Sequence, residues 1–293
     1  MLIQFSNKIM FSTSTKILIA RVISLFLIRI RRFANLNPVT VVRRGGLYWE
    51  LDLEEGIDLS IYLLGSFEPS TLVAYSSIVK EGDVVFDIGA NIGSHTLPLA
   101  KLVGITGKVF SFEPTLFAYQ KQLRNLALNE HLAERVIAKQ LMLVGDGELD
   151  LPDHVHSSWP LKKTHNLHAG HLGALKSTLG SSAVSLDYFV DTEMITKVDF
   201  IKLDVDGYEL DVLGGATKCL MRFHPRVLLE LAPYVFYDGA TTFDDLLNYF
   251  FNLGYRFYSI RSLRPLGLDI KSIEREIPKN GSINVLAIFG HLG

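Results

Sequence analysis

Cysteine is almost missing from this chain: Cys219 stands alone among 293 residues, which excludes an intramolecular disulfide and any metal site built from several thiolates. It reads as a packing residue in a reducing, cytoplasmic setting. Acids are missing from the first 49 residues, where the charged side chains are Lys8, Lys16, Arg21, Arg29, Arg31, Arg32, Arg43 and Arg44. A long apolar run is missing too. In ILIARVISLFLIRIRRF, residues 17 to 33, Arg21, Ser24 and Arg29 interrupt the hydrophobic side chains well short of the roughly 20 needed to span a bilayer. No small-residue cleavage site follows, so neither a transmembrane helix nor a signal peptide is expected. The net charge of -2 argues against general nucleic-acid binding.

What is present is ample apolar material, 48% of the chain, enough for a large core. The most informative stretch is VVFDIGANIGSHTLPLA, residues 84 to 100. A buried β-run stops near Asp87, turns through Gly89 and Gly93 with Asn91 between them, and resumes with helical spacing at Leu97, Leu99 and Ala100. In open α/β sheets ligands bind beyond the carboxyl ends of the strands, so this turn is a candidate site for a nucleotide-like cofactor. A second strand, KVFSFEP, ends in Glu113, 24 positions after Gly89, where a carboxylate can accept from ribose hydroxyls. The loop lacks the full three-glycine pattern of dinucleotide sites. That leaves S-adenosylmethionine and an NAD-type dinucleotide as the two cofactor readings, the latter making the chain an oxidoreductase.

A third strand candidate, residues 135 to 144, leads to Asp146, placed either at the adenine edge of the same cleft or in a simple turn. The stretch VDFIKLDVDGYELDVLGGA, residues 198 to 216, repeats the strand–acid–glycine–helix logic with Asp204, Asp206 and Glu209. PRVLLELAP follows, with Glu230 near the strand end. Parallel α/β units explain this rhythm. Helices are expected over residues 115 to 130 and 242 to 253 and from Ser70 as N-cap, and late strands near 255 to 260 and 283 to 289.

Residues 1 to 36 read as a basic apolar helix that either lies on an anionic membrane surface or docks on its own domain, with Arg21, Ser24 and Arg32 on one stripe and Leu18, Val22, Leu25 and Phe26 elsewhere. Residues 37 to 82, with a hairpin near Gly45 and Gly46, read as a cover for the cleft, and 83 to 293 as the main domain. Between 151 and 182 periodicity fades and His154, His156, His165, His168 and His171 cluster. A lid or insertion fits this segment better than a metal site, so no metal is assigned.

Taken in order, VVFDIGANIGSHT, FSFEP, LRNLALN, LVGD, SLDYF, DFIKLDVDGYELDVLGGA and PRVLLEL resemble the FkbM family of S-adenosylmethionine-dependent methyltransferases. The resemblance implies a Rossmann-like fold, a mostly parallel seven-stranded sheet with an antiparallel last strand and helices on both faces. It also implies O-methylation of a hydroxyl on a sugar, glycan or other small metabolite. Asp87, Gly89, Asn91, Gly93, Glu113 and Asp146 would then hold the cofactor, and Asp204, Asp206, Glu209 and Glu230 would face methyl transfer. The family commonly has glutamate where this chain has Asp206. A non-catalytic, membrane-docked binding module on the same fold is the remaining class.

Overall fold

The computed structural model describes residues 13–147, 150–157, 160–161, 173–236, 241–279 and 281–290. In chain order the elements are α1 Thr13–Phe33, β1 Val39–Arg44, β2 Leu47–Asp52, α2 Gly56–Leu64, α3 Pro69–Ser76, β3 Val84–Ile88, α4 Thr96–Leu102, β4 Lys108–Phe112, α5 Leu116–Ala127, α6 Glu130–Ala133, β5 Val136–Lys139 and β6 Leu141–Leu143. There follow β7 His154–Ser157, β8 Ala174–Ser177, β9 Ser182–Val184, α7 Leu186–Thr192, β10 Phe200–Leu203, α8 Glu209–Gly214, α9 Thr217–Phe223, β11 Arg226–Leu231, a 3-10 turn Pro233–Phe236, α10 Phe243–Asn252, β12 Tyr255–Ser259, α11 Ile270–Glu274 and β13 Ile283–Phe289.

The main sheet has seven strands in the order β12-β13-β11-β10-β3-β4-β5. β11, β10, β3, β4 and β5 run parallel, and β13 lies antiparallel between β11 and β12. This is the Rossmann-like arrangement that the motif order implies. Alternate strand residues feed two cores, as the period-2 geometry of a strand requires. Phe86, Phe110, Ile201 and Val227 face α7 to α10, while Val85, Val109, Phe200 and Leu228 pack under α4, α5, the β1–β2 hairpin and α2–α3. The chain winds outward from β3 to β5 and then returns to place β10 on the other side of β3. That reversal is the topological switch point, where the strand ends part and a crevice opens.

Several local expectations shift. The single strand expected over residues 135 to 144 is broken at Gln140, because β6 leaves the main sheet and pairs in parallel with β9. Ser70 is not an N-cap: Glu68 holds that position with φ 45°, and Pro69 takes the first turn, where its missing N–H costs nothing. α10 keeps its expected limits because Thr242 and Asp245 form a reciprocal capping box. Within 151 to 182, where irregular chain is expected, β7 and β8 pair as an antiparallel ribbon. His165, His168 and His171 lie outside the described residues.

Helix α1 docks on its own domain through the stripe that carries Ser24. Ser24 donates to the Leu53 carbonyl at 2.7 Å and Ile28 is buried beside it, so the stripe holding Ser24 and the half-buried Arg21 faces the domain. Leu18, Val22, Leu25, Phe26, Ile30 and Phe33 face outward, each at least half exposed. Among the described residues no helix is long and apolar enough to cross a membrane.

Candidate active site

β3 and β10 set the geometry of the cleft. At Gly89 the backbone turns with φ 77°, and a Cβ built there would stand 1.8 Å from the Asp204 carbonyl oxygen. Only glycine lets the two strand ends approach so closely. Asn91, also left-handed at φ 48°, accepts the Ile92 N–H on its own side chain at 2.9 Å. Its amide nitrogen donates to Ser157 of β7 at 3.3 Å. Gly93 shapes the turn, with φ 85° and the Gln122 side chain 3.2 Å from where a Cβ would lie, but it does not line the cleft.

Glu113, buried at the end of β4, holds this turn in place. One carboxylate oxygen accepts the Asn91 N–H at 3.0 Å, and the other accepts the Thr115 N–H at 2.8 Å and hydroxyl at 2.5 Å. Burial pushes its pKa up, against the pull of these bonds. The cleft beside it has an apolar wall of Ile88, Phe112, Leu141, Leu143, Val155 and Val212, and a polar end where Ser94, His95, Lys202, Asp204 and Asp206 meet. A flat ring fits the first and charged or hydroxylic groups the second.

Asp87 is fully buried below the turn rather than on the cleft wall. Thr96 donates to one of its oxygens at 2.6 Å; the other is buried without a partner. Gln122 extends the chain by donating to Thr96 at 3.0 Å. Of the two placements open for Asp146, the structure has the turn: it is exposed after β6 and does not line the cleft. The reason is the early end of β5, which turns the chain away from the sheet edge, so that β6 itself supplies the wall with Leu141, Met142 and Leu143.

At the polar end, Lys202 is nearly inaccessible and its ammonium lies 2.9 Å from Asp204. Burial opposes its charge, yet Asp204, Asp87 and Glu68 outweigh that and push its pKa up to about 12. Asp206, at φ 52°, is driven well above the usual carboxylate range by burial and by Asp204, Glu209 and Glu230. Glu209 does not reach the cleft wall. It accepts the Val205 N–H at 3.3 Å and the Gly207 N–H at 3.1 Å, fastening the turn, with its pKa raised to about 7 by burial. Glu230 also stands behind the wall, accepts from Ser282 on the approach to β13, and is raised by burial and then by Asp204.

Sequence reasoning missed three members of this cluster. Glu68 comes in from α3, where it is bonded by Asn284 of β13 at 3.1 Å, and burial followed by Asp204 raises its pKa. His95 and Tyr75 are bonded to each other at 3.2 Å. His95 lay within the glycine motif, but the sequence carries no sign that its ring nitrogen is fixed by a tyrosine 20 residues earlier.

The chain matches the methyltransferase FkbM domain over residues 87–257, more than half of its length. The hexuronic acid methyltransferase AglP of Haloferax volcanii is 27% identical over 142 residues, 48% of this chain and 53% of that protein. The chain thus spans about half the length of the curated relative it matches. Among solved structures, a methyltransferase FkbM from Methylobacillus flagellatus KT aligns over 75% of this chain and 47% of its own, at 19% identity and a TM-score of 0.43. An SAM-dependent O-methyltransferase from Thermotoga maritima aligns over 90% of this chain and 82% of its own, at 16% identity and a TM-score of 0.40. On the match that runs from Asp87 through the cleft strands to Phe257, the chain belongs to the FkbM methyltransferase family.

Proposed function

We propose that the protein is an enzyme that methylates a hydroxyl on a sugar, glycan or other small metabolite, using S-adenosylmethionine. The observation that carries this reading is the cleft at the switch point, where one apolar wall and one acid-rich end meet over the Gly89 turn. The residues fit such a cofactor: Ile88, Phe112 and Leu143 would offer a slot for a purine, Asn91 and Glu113 at the turn would serve a ribose, and His95 on the cleft wall has a buried ring nitrogen without a partner. Family membership supports the reaction. The hexuronic acid activity named for AglP supports a sugar-like acceptor.

When bound, S-adenosylmethionine supplies a methyl group made electrophilic by the neighbouring sulfonium. The chain's own residues orient the acceptor oxygen, keep water away and receive its proton. Asp204 and Asp206 line the cleft where that proton departs, and Glu230 behind them can pass it on. Burial, and after it the crowding of neighbouring carboxylates, raises the pKa of Asp206 and Glu230, so each takes a proton more readily than a free carboxylate.

Calorimetry with S-adenosylhomocysteine tests the cofactor. Wild type is expected to bind it, and Glu113→Ala to bind at least about tenfold more weakly, since three hydrogen bonds that fix the turn are lost. Tighter binding of NAD than of S-adenosylhomocysteine would replace this reading with the oxidoreductase one.

Helix α1 adds a peripheral membrane contact at the inner face of the membrane. Its outward Leu18, Val22, Phe26 and Phe33, the exposed Arg29 and Arg32, and the lack of any acid before Glu50 suit a surface of anionic lipid. In vesicle sedimentation, full-length protein is expected to pellet with phosphatidylglycerol vesicles, and Phe26→Asp/Phe33→Asp to stay in the supernatant. Equal recovery of both proteins in the soluble fraction would reject the contact.

A further inference from the structure

His95 lines the polar end of the cleft, yet its ring is committed on one side only. Nδ1 lies 3.2 Å from the Tyr75 hydroxyl, and Nε2 is buried with no hydrogen-bonding partner. Among the described residues the Tyr75 hydroxyl, itself buried, has His95 as its one hydrogen-bonding partner. The arrangement that leaves no buried hydroxyl hydrogen without an acceptor has Tyr75 donating to Nδ1, which puts the single hydrogen of a neutral imidazole on Nε2. The ring stays neutral: burial, and after it the Lys202 ammonium, hold its pKa well below the ordinary histidine value. The Phe67 ring stands edge-on to the imidazole at 5.8 Å, which fixes the ring plane. The result is a preset, uncharged N–H donor without an acceptor, two residues past Gly93 and beside a cluster of carboxylates.

We infer that His95 Nε2–H donates to the carboxylate of the amino-acid portion of the methyl donor, with Tyr75 setting the tautomer. This rests on the methyl-donor reading above. Two features favour that acceptor over a hydroxyl of the methylated substrate. A bound carboxylate is an anion brought in among Glu68, Asp204 and Asp206, so it needs a donor of its own; the Lys202 charge is already shared among Asp204, Asp87 and Glu68, whereas His95 Nε2 is unpartnered. His95 also follows directly on the Gly89–Gly93 turn that shapes the cofactor end of the cleft, rather than lying on the cover. The same reasoning removes His95 as a general base, because its basicity is suppressed and its unpartnered nitrogen already bears the hydrogen.

The experiment compares S-adenosylmethionine with its decarboxylated form, which retains the sulfonium and ammonium but lacks the carboxylate. Wild type is expected to prefer the complete molecule, and His95→Phe, which keeps a ring of similar shape, to lose about tenfold or more in affinity for it while changing affinity for the decarboxylated form less than about twofold. His95→Gln, which keeps an amide donor, should recover part of the loss. Equal loss for both ligands, or loss for neither, would overturn the assignment. Wild type that binds neither ligand would remove the methyl-donor reading and this inference together. If the variants do not fold, nitrogen NMR of the wild-type histidines decides: a hydrogen on Nε2 of His95 supports the assignment, and a hydrogen on Nδ1 ends it.

Discussion

Replacing Lys202 by methionine is expected to lower the unfolding free energy by about 3–5 kcal/mol, the usual cost of removing one partner from a buried ion pair. Lys202 sits on β10 opposite Asp87 of β3 and is in contact with Asp204. The methionine fills a similar volume, so the loss comes from charge rather than from a cavity. Asp87, Asp204 and Glu68 would then face one another without a counter-ion, and protonation offers the easiest relief. The effect therefore depends on pH. In wild type, Glu209 is raised to about 7 from 4.5, and Glu68, Asp87 and Asp206 are raised as well. A carboxyl whose folded pKa is raised binds more protons folded than unfolded, so its contribution to stability is largest below the unfolded pKa and falls as pH climbs through the folded one. Urea denaturation should show wild type losing stability between pH 5 and pH 8, and Lys202→Met losing more over the same interval. Equal midpoints for the two proteins at both pH values would show that Lys202 does not hold this cluster together.

The sequence made the first half of the site readable because its parts are contiguous. Asp87, Gly89 and Asn91 fall within five residues, and the strand that carries Glu113 announces itself by its apolar run. What periodicity cannot encode is which of two faces turns inward. α1 illustrates this: its stripes are visible in the sequence, but Ser24 meets the Leu53 carbonyl and Ile28, Ala20 and Leu27 pack into the core beside it, which leaves the greasier stripe outward. The polar end of the cleft was hidden for a different reason. Glu68, His95, Lys202 and Asn284 come from four distant segments, and Glu68 is aimed by its own left-handed backbone before Pro69, which no propensity rule marks. The choice between the two placements of Asp146 turned on where β5 ends, at Lys139, a detail of strand length set by the pairing of β6 with β9.

In Asp204→Asn, turnover is expected to fall by about a hundredfold to ten-thousandfold, the range ascribed to a positioned acid or base. Affinity for S-adenosylhomocysteine should change by less than about tenfold, since the Asn91–Glu113 turn and the apolar wall are left in place. The amide keeps nearly the shape of the carboxylate but cannot take the hydroxyl proton, and it presents an N–H where Lys202 needs an acceptor. The two losses can be separated. Weakening of Lys202's contact shows as lower stability in the denaturation experiment, while loss of the proton acceptor shows in single-turnover methylation of a methyl hexoside or hexuronide at saturating methyl donor. Asp206→Glu should retain activity if that position only shapes the pocket, because the longer side chain keeps a carboxyl group there and the left-handed turn at φ 52° is held by Gly207 and Glu209 beside it. A normal single-turnover rate in Asp204→Asn would take this carboxylate out of the reaction and leave Asp206, with its raised pKa and its place on the cleft wall, as the group that receives the proton.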